Sequence, residues 1–191
     1  MKYVIVLLVL TVSAVSAFSQ TPPVSPAPAA SPAAAAPVVK EANPADVASI
    51  DAIMKAVYEV ISGDAGVKRD WDRFRTLFYR DARMIPTGKN PQTGVHGARV
   101  MTPEDYVTRS GPYLEQNGFH EREIARKVDQ FGNIAQVFSS YESFHKKDDK
   151  TPFMRGINSF QLLNDGKRWW VVTIYWQQES PDTPIPAQYL K

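Results

Sequence analysis

The second half of the chain contains four long segments in which apolar and polar residues alternate. They run from Phe119 to Phe131, from Ile134 to Phe144, from Phe153 to Leu163 and from Arg168 to Gln178. Alternation with a period of two predicts β-strands that each bury one face. Short turn signals, Gly132-Asn133 and Asn164-Asp165-Gly166, join the first two and the last two segments. We therefore expect a meandering antiparallel sheet.

Three helices are predicted before these strands, because residues that favour helix starts precede runs with helical apolar spacing. The helices are expected from Pro44 to about Ser62, from Asp70 through Phe78 and from Thr102 to about Asn117, with a short strand from Arg83 to Ile85 and an irregular loop from Pro86 to Met101. Helices followed by long strands indicate an α+β fold, with the N-terminal helices packed on a curved antiparallel sheet.

The N-terminal region has a different composition from the rest of the chain. Met1-Lys2, an apolar run from Tyr3 to Val12 and small residues up to Ala17 predict a cleavable signal peptide over residues 1–17. The apolar run is shorter than the roughly 20 residues of a membrane span. Residues 18–44 are rich in proline and alanine and predict a disordered tether. We therefore expect a secreted or periplasmic protein with one folded domain over residues 45–191 and no stable membrane insertion after cleavage.

Composition excludes several classes of site. The chain has no cysteine, so disulfides and thiolate metal sites are excluded. Its formal net charge is +2, and acidic residues such as Glu121 and Glu123 alternate with bases, which indicates a solvated surface and not a nucleic-acid interface. The three histidines, His96, His120 and His145, lack the spacing of metal ligands. No metal and no cofactor is expected.

Two strand segments carry a resemblance to a known superfamily. Arg155 to Leu162 and Gly166 to Val172, followed by Trp176 to Glu179, occur after helices in the order described above. From about Ala45 to Leu190 the chain resembles the SnoaL-like, nuclear transport factor 2-like superfamily. The resemblance implies a cone with a hydrophobic pocket between sheet and helices. It also implies that enzymes of this kind place Asp, His or Tyr in the cone, whereas exported members mostly lack an assigned activity.

Four residues are candidates for acid–base chemistry or substrate anchoring: His120, Tyr141, Glu142 and Arg155. Apolar neighbours on its strand face could raise the pKa of Glu142, or Glu142 could pair with Arg155 on the outer face. Arg155 could clamp a substrate carboxylate or close a structural salt bridge. His120, at a strand start, could act as acid or base or be an inert, partly exposed histidine. Alternation alone does not tell which face is inward.

A further set of residues could line a ligand pocket, although core packing would explain most of them equally well. It comprises Tyr58, Trp71, Phe74, Phe78, Tyr106, Asn158, Phe160, Tyr175 and Trp176. The first hypothesis is a non-catalytic module that binds a small apolar ligand or forms a homodimer through the open sheet face, with Trp169 and Trp170 on opposite faces of the last strand. The alternative is a small-molecule isomerase, dehydratase or hydrolase.

Overall fold

A computed structural model of the protein describes residues 40–191. The predicted signal peptide and residues 18–39 of the predicted tether lie outside these residues, so both, and the secreted or periplasmic localisation, stay predictions. Among the described residues, no helix is both long and apolar enough to cross a bilayer.

Four helices, six strands and a final 3-10 turn make up the described fold. The helices are α1 (Pro44–Val47), α2 (Ile50–Ile61), α3 (Trp71–Thr76) and α4 (Pro103–Asn117), the strands are β1 (Phe78–Lys89), β2 (His96–Ala98), β3 (His120–Phe131), β4 (Ile134–Phe144), β5 (Met154–Asn164) and β6 (Trp169–Gln178), and the turn is Ala187–Tyr189. The predicted α+β class is confirmed.

The helices begin where short polar side chains accept backbone hydrogen bonds. Asp70 accepts from Arg73 N at 2.8 Å at the start of α3, and Thr102 and Asp105 form a reciprocal capping box at the start of α4. The first predicted helix is divided in two. Ser49 has an extended backbone, and its Oγ accepts from Ala52 N at 3.1 Å, so Ser49 caps α2 as a separate helix.

The sheet has the strand order β2-β1-β6-β5-β4-β3. Neighbouring strands are antiparallel except β1 and β6, which are parallel, so the expectation of a purely antiparallel sheet is corrected. A long connection separates β1 from β6 in sequence, which permits a parallel pair. β1 is also far longer than the predicted Arg83 to Ile85 strand, and part of the predicted loop forms β2.

Two faces of the sheet have different surroundings. The inner face, defined by Val137, Tyr141 and Phe160, packs against the helices in the main hydrophobic core. The C-terminal segment after β6 lies on the opposite, outer face, where Tyr189 contacts Phe138 with ring centroids 5.0 Å apart and the Tyr189 carbonyl accepts from Ser140 Oγ at 2.6 Å. Part of the outer face is therefore covered by the chain itself.

The two tryptophans of β6 lie on opposite faces, as the alternation predicts. Trp169 is buried in the core, whereas Trp170 lies on the outer face and its Nε1 donates to Asp165 Oδ2 at 2.8 Å. The guanidinium of Arg168 lies 3.6 Å from the centroid of the Trp170 ring. A homodimer through this face stays a prediction.

Candidate active site

A cavity of about 450 Å³ lies between the helices and the inner face of the sheet. Its buried wall is formed by aromatic side chains from α2, β4 and β5, including Tyr58, Tyr141 and Phe160. Tyr113 of α4 and Phe153 before β5 also line it and are 51% and 41% exposed, so they mark its mouth. The size and the apolar walls suit a small organic ligand.

Glu121 is the one acidic residue that lines this cavity among the described residues. Its Oε2 accepts from Ser143 Oγ at 2.9 Å, and its Oε1 accepts from Asn158 Nδ2 at 3.3 Å. Within residues 40–191 no basic side chain lies within 4.0 Å of its carboxylate. Burial raises the pKa of Glu121 to about 7, although the two hydrogen bonds oppose the shift. The carboxyl therefore changes its charge near neutral pH.

A β-bulge in β3 turns Glu121 toward the cavity. From the hairpin turn, β3 and β4 pair in a regular register in which Val128 lies opposite Val137 on the inner face. At Ile124 the register shifts by one residue, and beyond it Glu121 lies opposite Ser143. A one-residue shift exchanges the two faces of a strand, so the bulge moves Glu121 and its neighbours to the opposite side.

The bulge also explains where His120 lies. Strict alternation from Val128 would turn His120 inward and Glu121 outward, whereas the structure has the reverse. His120 lies outside the cavity, and its Nε2 is 2.7 Å from Asp64 Oδ1. The interpretation of Glu121 and Glu123 as members of a solvated surface is corrected, because both lie on the inner side of β3.

A chain of hydrogen bonds fixes the polar part of the wall. Asn158 Nδ2 donates to the Tyr58 hydroxyl at 3.2 Å, and that hydroxyl lies 2.7 Å from Ser139 Oγ. Ser139 Oγ donates to Glu123 Oε1 at 2.5 Å, and Glu123 forms an ion pair with Arg126 at 2.6 Å. The amide of Asn158 is thus held with its NH₂ group toward both Tyr58 and Glu121.

Tyr106 and Tyr141 line the inner part of the cavity, and their hydroxyls form no hydrogen bond with another residue of the described chain. Burial raises the pKa of both phenols, and the nearby Glu121 carboxylate raises it further. Both side chains therefore stay protonated at neutral pH. They can donate hydrogen bonds to an oxygen atom of a ligand.

Tyr141 occupies its position because the opposite residue of β5 is glycine. A Cβ placed on Gly156 would lie 2.5 Å from the Tyr141 hydroxyl oxygen and 2.4 Å from the Gln177 carbonyl oxygen. Real side chains do not make such contacts, so any larger residue must displace the tyrosine or the backbone of β6.

We therefore expect Gly156→Ala to lower the free energy of unfolding by about 2–3 kcal/mol, because the added methyl group overpacks the wall. Urea denaturation followed by tryptophan fluorescence measures the change. Gly88→Ala in β1 is the matched control, since a Cβ at Gly88 meets no atom within 4 Å. Equal effects of the two substitutions would contradict the close packing of Tyr141 on Gly156.

The structure brings together most of the residues predicted to line a pocket: Tyr58, Phe74, Tyr106, Asn158, Phe160 and Trp176 all line the cavity. Tyr141, predicted as catalytic, lines it as well. Three predicted lining residues lie elsewhere. Phe78 is buried in the core beside Phe74, Trp71 Nε1 donates to Glu115 at 2.9 Å, and Tyr175 is on the outer face and 49% exposed.

Glu142 and Arg155, predicted as catalytic, lie on the outer face of the sheet. Glu142 Oε2 accepts from Arg122 Nη2 at 3.1 Å, and its Oε1 lies 3.7 Å from Arg155 Nε. Arg155 also lies 3.6 Å from Glu179. These contacts are the cross-strand ion pairs that the sequence analysis gave as the alternative to a catalytic role. Neither side chain reaches the cavity.

No cluster of three or more His, Asp or Glu side chains suited to a metal ion occurs within residues 40–191. The residue that sequence reasoning missed is Glu121. The sequence does carry a signal for it: Glu121 and Glu123 follow the buried Phe119 at every second position, which is the spacing of one strand face.

Comparison with solved structures identifies the fold. A protein of unknown function with a cystatin-like fold from Nostoc punctiforme matches with a TM-score of 0.53 and 11% identity, over 77% of this chain and all of that one. The chain has a cystatin-like fold. This confirms the fold that the sequence resemblance implies.

Two further solved structures are similar to the chain. A protein assigned as the β subunit of an aromatic-ring-hydroxylating dioxygenase from Novosphingobium aromaticivorans matches with a TM-score of 0.51 and 14% identity, over 72% of this chain and 95% of that one. A nuclear transport factor 2-like protein of unknown function from Silicibacter pomeroyi matches with a TM-score of 0.48 and 14% identity, over 69% and 94%. No family model and no curated protein matches the chain.

Proposed function

We propose that the protein binds a small, largely apolar molecule in its cavity and that Glu121 exchanges a proton with it, as in an isomerase or dehydratase. The observation that carries this proposal is a carboxyl group in an aromatic cavity, without a basic partner among the described residues, whose pKa is raised to about 7. A general base is most effective when its pKa lies near the working pH. This favours the catalytic alternative over a purely binding module.

The neighbouring groups support a division of roles. The Glu121 carboxylate would remove a proton from carbon beside a ligand carbonyl, and the electron pair would move onto the carbonyl oxygen. The hydroxyls of Tyr106 and Tyr141 would donate hydrogen bonds to that oxygen, where negative charge develops. Return of the proton from Glu121 to a different carbon gives an isomer, and loss of a β-hydroxyl as water gives dehydration.

Glu121 lowers the free energy of unfolding at neutral pH, because its ionised carboxylate is poorly solvated in this position. Residues that lower stability without a structural benefit are typical of functional sites. A second groove, between α2 and β3, also reaches Glu121. This groove offers the proton a path to solvent while a ligand fills the cavity.

A nitro-substituted benzisoxazole tests the proposal without knowledge of the natural substrate. A base removes its ring C–H proton, the N–O bond breaks, and a coloured cyanophenolate forms. We expect turnover whose kcat/KM rises with pH through about 7 and then levels off, because ionised Glu121 is the base. Glu121→Gln should lower kcat/KM by about 10²-fold or more.

Glu142→Gln is the matched control, since Glu142 lies on the outer face and should leave turnover unchanged. Equal rates for wild type and Glu121→Gln would overturn the proton-transfer role. Binding of the probe without Glu121-dependent turnover would instead support the non-catalytic module.

A further inference from the structure

We infer that the ligand of this cavity carries an anionic group, a carboxylate or sulfonate, which binds Arg109 at the mouth. The inference rests on the proposed function and names its substrate class: a small apolar acid. Arg109 and Glu121 are the two charged residues that line the cavity within residues 40–191. All other lining residues there are apolar, aromatic or neutral polar.

The helical period of α4 turns Arg109 toward the cavity. Arg109, Ser110 and Tyr113 follow Tyr106 by three, four and seven residues, and all four line the cavity. Residues with this spacing share one helix face. Tyr106 is anchored by its ring, which stacks on Phe74 with centroids 5.8 Å apart and 19° between the planes. Arg109 and Tyr113 lie one turn apart on this face, and both line the cavity and are exposed.

Arg109 has no ion pair or hydrogen bond to another side chain of the described fold, unlike Arg73 and Arg75 of α3, which pair with acidic side chains. The acidic residue one turn earlier on α4, Asp105, is already engaged. Its Oδ2 accepts from Thr102 N at 3.0 Å and from Thr102 Oγ1 at 2.8 Å in the capping box. A guanidinium with free donors next to aromatic surfaces suits a carboxylate or sulfonate attached to an apolar body.

The distribution of charge orients such a ligand. Glu121 has hydrogen bonds only from Ser143 and Asn158 and would repel an anionic group placed beside it. Arg109 is exposed, as are Tyr113 and Phe153 at the mouth, whereas Tyr141 is buried. The anionic end therefore stays at the mouth, and the neutral end, which carries the reacting carbon, extends toward Glu121.

Two fluorescent dyes with the same ring system distinguish the contribution of the anionic group to binding from that of the apolar body. Anilinonaphthalene sulfonate carries an anionic group, and N-phenylnaphthylamine lacks it. We expect both to bind wild-type protein, and we expect Arg109→Gln to raise the ratio of the sulfonate Kd to the neutral-dye Kd by about three- to tenfold. Lys127→Gln, an equal charge change at an exposed β3 position outside the cavity, should leave the ratio unchanged.

A salt series provides a measurement that needs no variant. In wild type, raising the ionic strength from about 0.01 M to about 0.1 M should weaken the binding of the sulfonate dye and leave the binding of the neutral dye nearly unchanged. Salt screens the attraction between the sulfonate and Arg109 and does not act on apolar contacts. Binding of the neutral dye with an unchanged ratio in Arg109→Gln overturns this inference and leaves the proposed function standing. Failure of the neutral dye to bind wild type, with Glu121-independent benzisoxazole turnover, overturns both.

Discussion

Replacement of Glu121 with glutamine is expected to stabilise the protein by about 2–3 kcal/mol at about pH 8, and by only about 1 kcal/mol at about pH 5. The pKa of this carboxyl is raised from 4.5 to about 7 in the fold by burial. The folded state therefore binds the proton more tightly than the unfolded state. Stability from this proton is fully present below about pH 4.5 and is lost as the pH rises through about 7.

Urea unfolding of both proteins between about pH 4 and about pH 9 measures the effect. The free energy of unfolding of the wild type should fall by about 3 kcal/mol across this range as Glu121 loses its proton. The glutamine variant should not show this fall, because an amide does not titrate there. Glu142→Gln provides the matched control on the outer face, and it should be neutral or destabilising, since it weakens contacts with Arg122 and Arg155. Parallel pH profiles for wild type and Glu121→Gln would contradict the raised pKa of the Glu121 carboxyl.

The second large effect is expected at Arg69, which is buried and joins the ends of two helices. Its guanidinium donates to the carbonyl oxygens of Ile61 at 2.9 Å, Gly63 at 2.6 Å and Leu114 at 2.9 Å. Ile61 ends α2, and Leu114 lies in the last turn of α4, where helix carbonyls lack partners and carry partial negative charge. One side chain thus satisfies acceptors that would otherwise be buried without donors.

Arg69→Met should therefore lower the free energy of unfolding by about 3–5 kcal/mol, because it leaves several buried carbonyls without donors. Thermal and urea denaturation measure the loss. Arg75→Met on α3 is the control: Arg75 forms an exposed ion pair with Glu104 at 2.7 Å, and its loss should cost less than about 1 kcal/mol. A similar small loss at both positions would show that Arg69 does not hold the two helices together.

Neither of these residues was singled out by the sequence, and the reason is the same for both. Arg69 is one arginine among many between two predicted helices, and its acceptors come from residues eight and 45 positions away. Contacts of this range depend on how the helices pack, which alternation and capping signals do not encode. Ion pairs such as that between Glu142 and Arg155 were predictable as an alternative, because β4 and β5 are neighbouring strands.

The sequence by itself determined the α+β class, most helix starts and the β3–β4 turn. These features depend on residues close in the chain: Asp70 and Thr102 cap their own helices, and Gly132 with Asn133 joins two strands that pair along their whole length. Local hydrogen bonds and backbone preferences are enough to specify them. The resemblance to nuclear transport factor 2-like proteins added the expectation of a pocket.

Only the tertiary structure decided which residues meet in that pocket. The bulge at Ile124 moves Glu121 to the inner face and His120 away from it, and a shift of one residue is invisible to a pattern of alternating polarity. The parallel pairing of β1 with β6 likewise depends on contacts between distant segments. The sequence predicted a pocket, and long-range packing placed its carboxyl group.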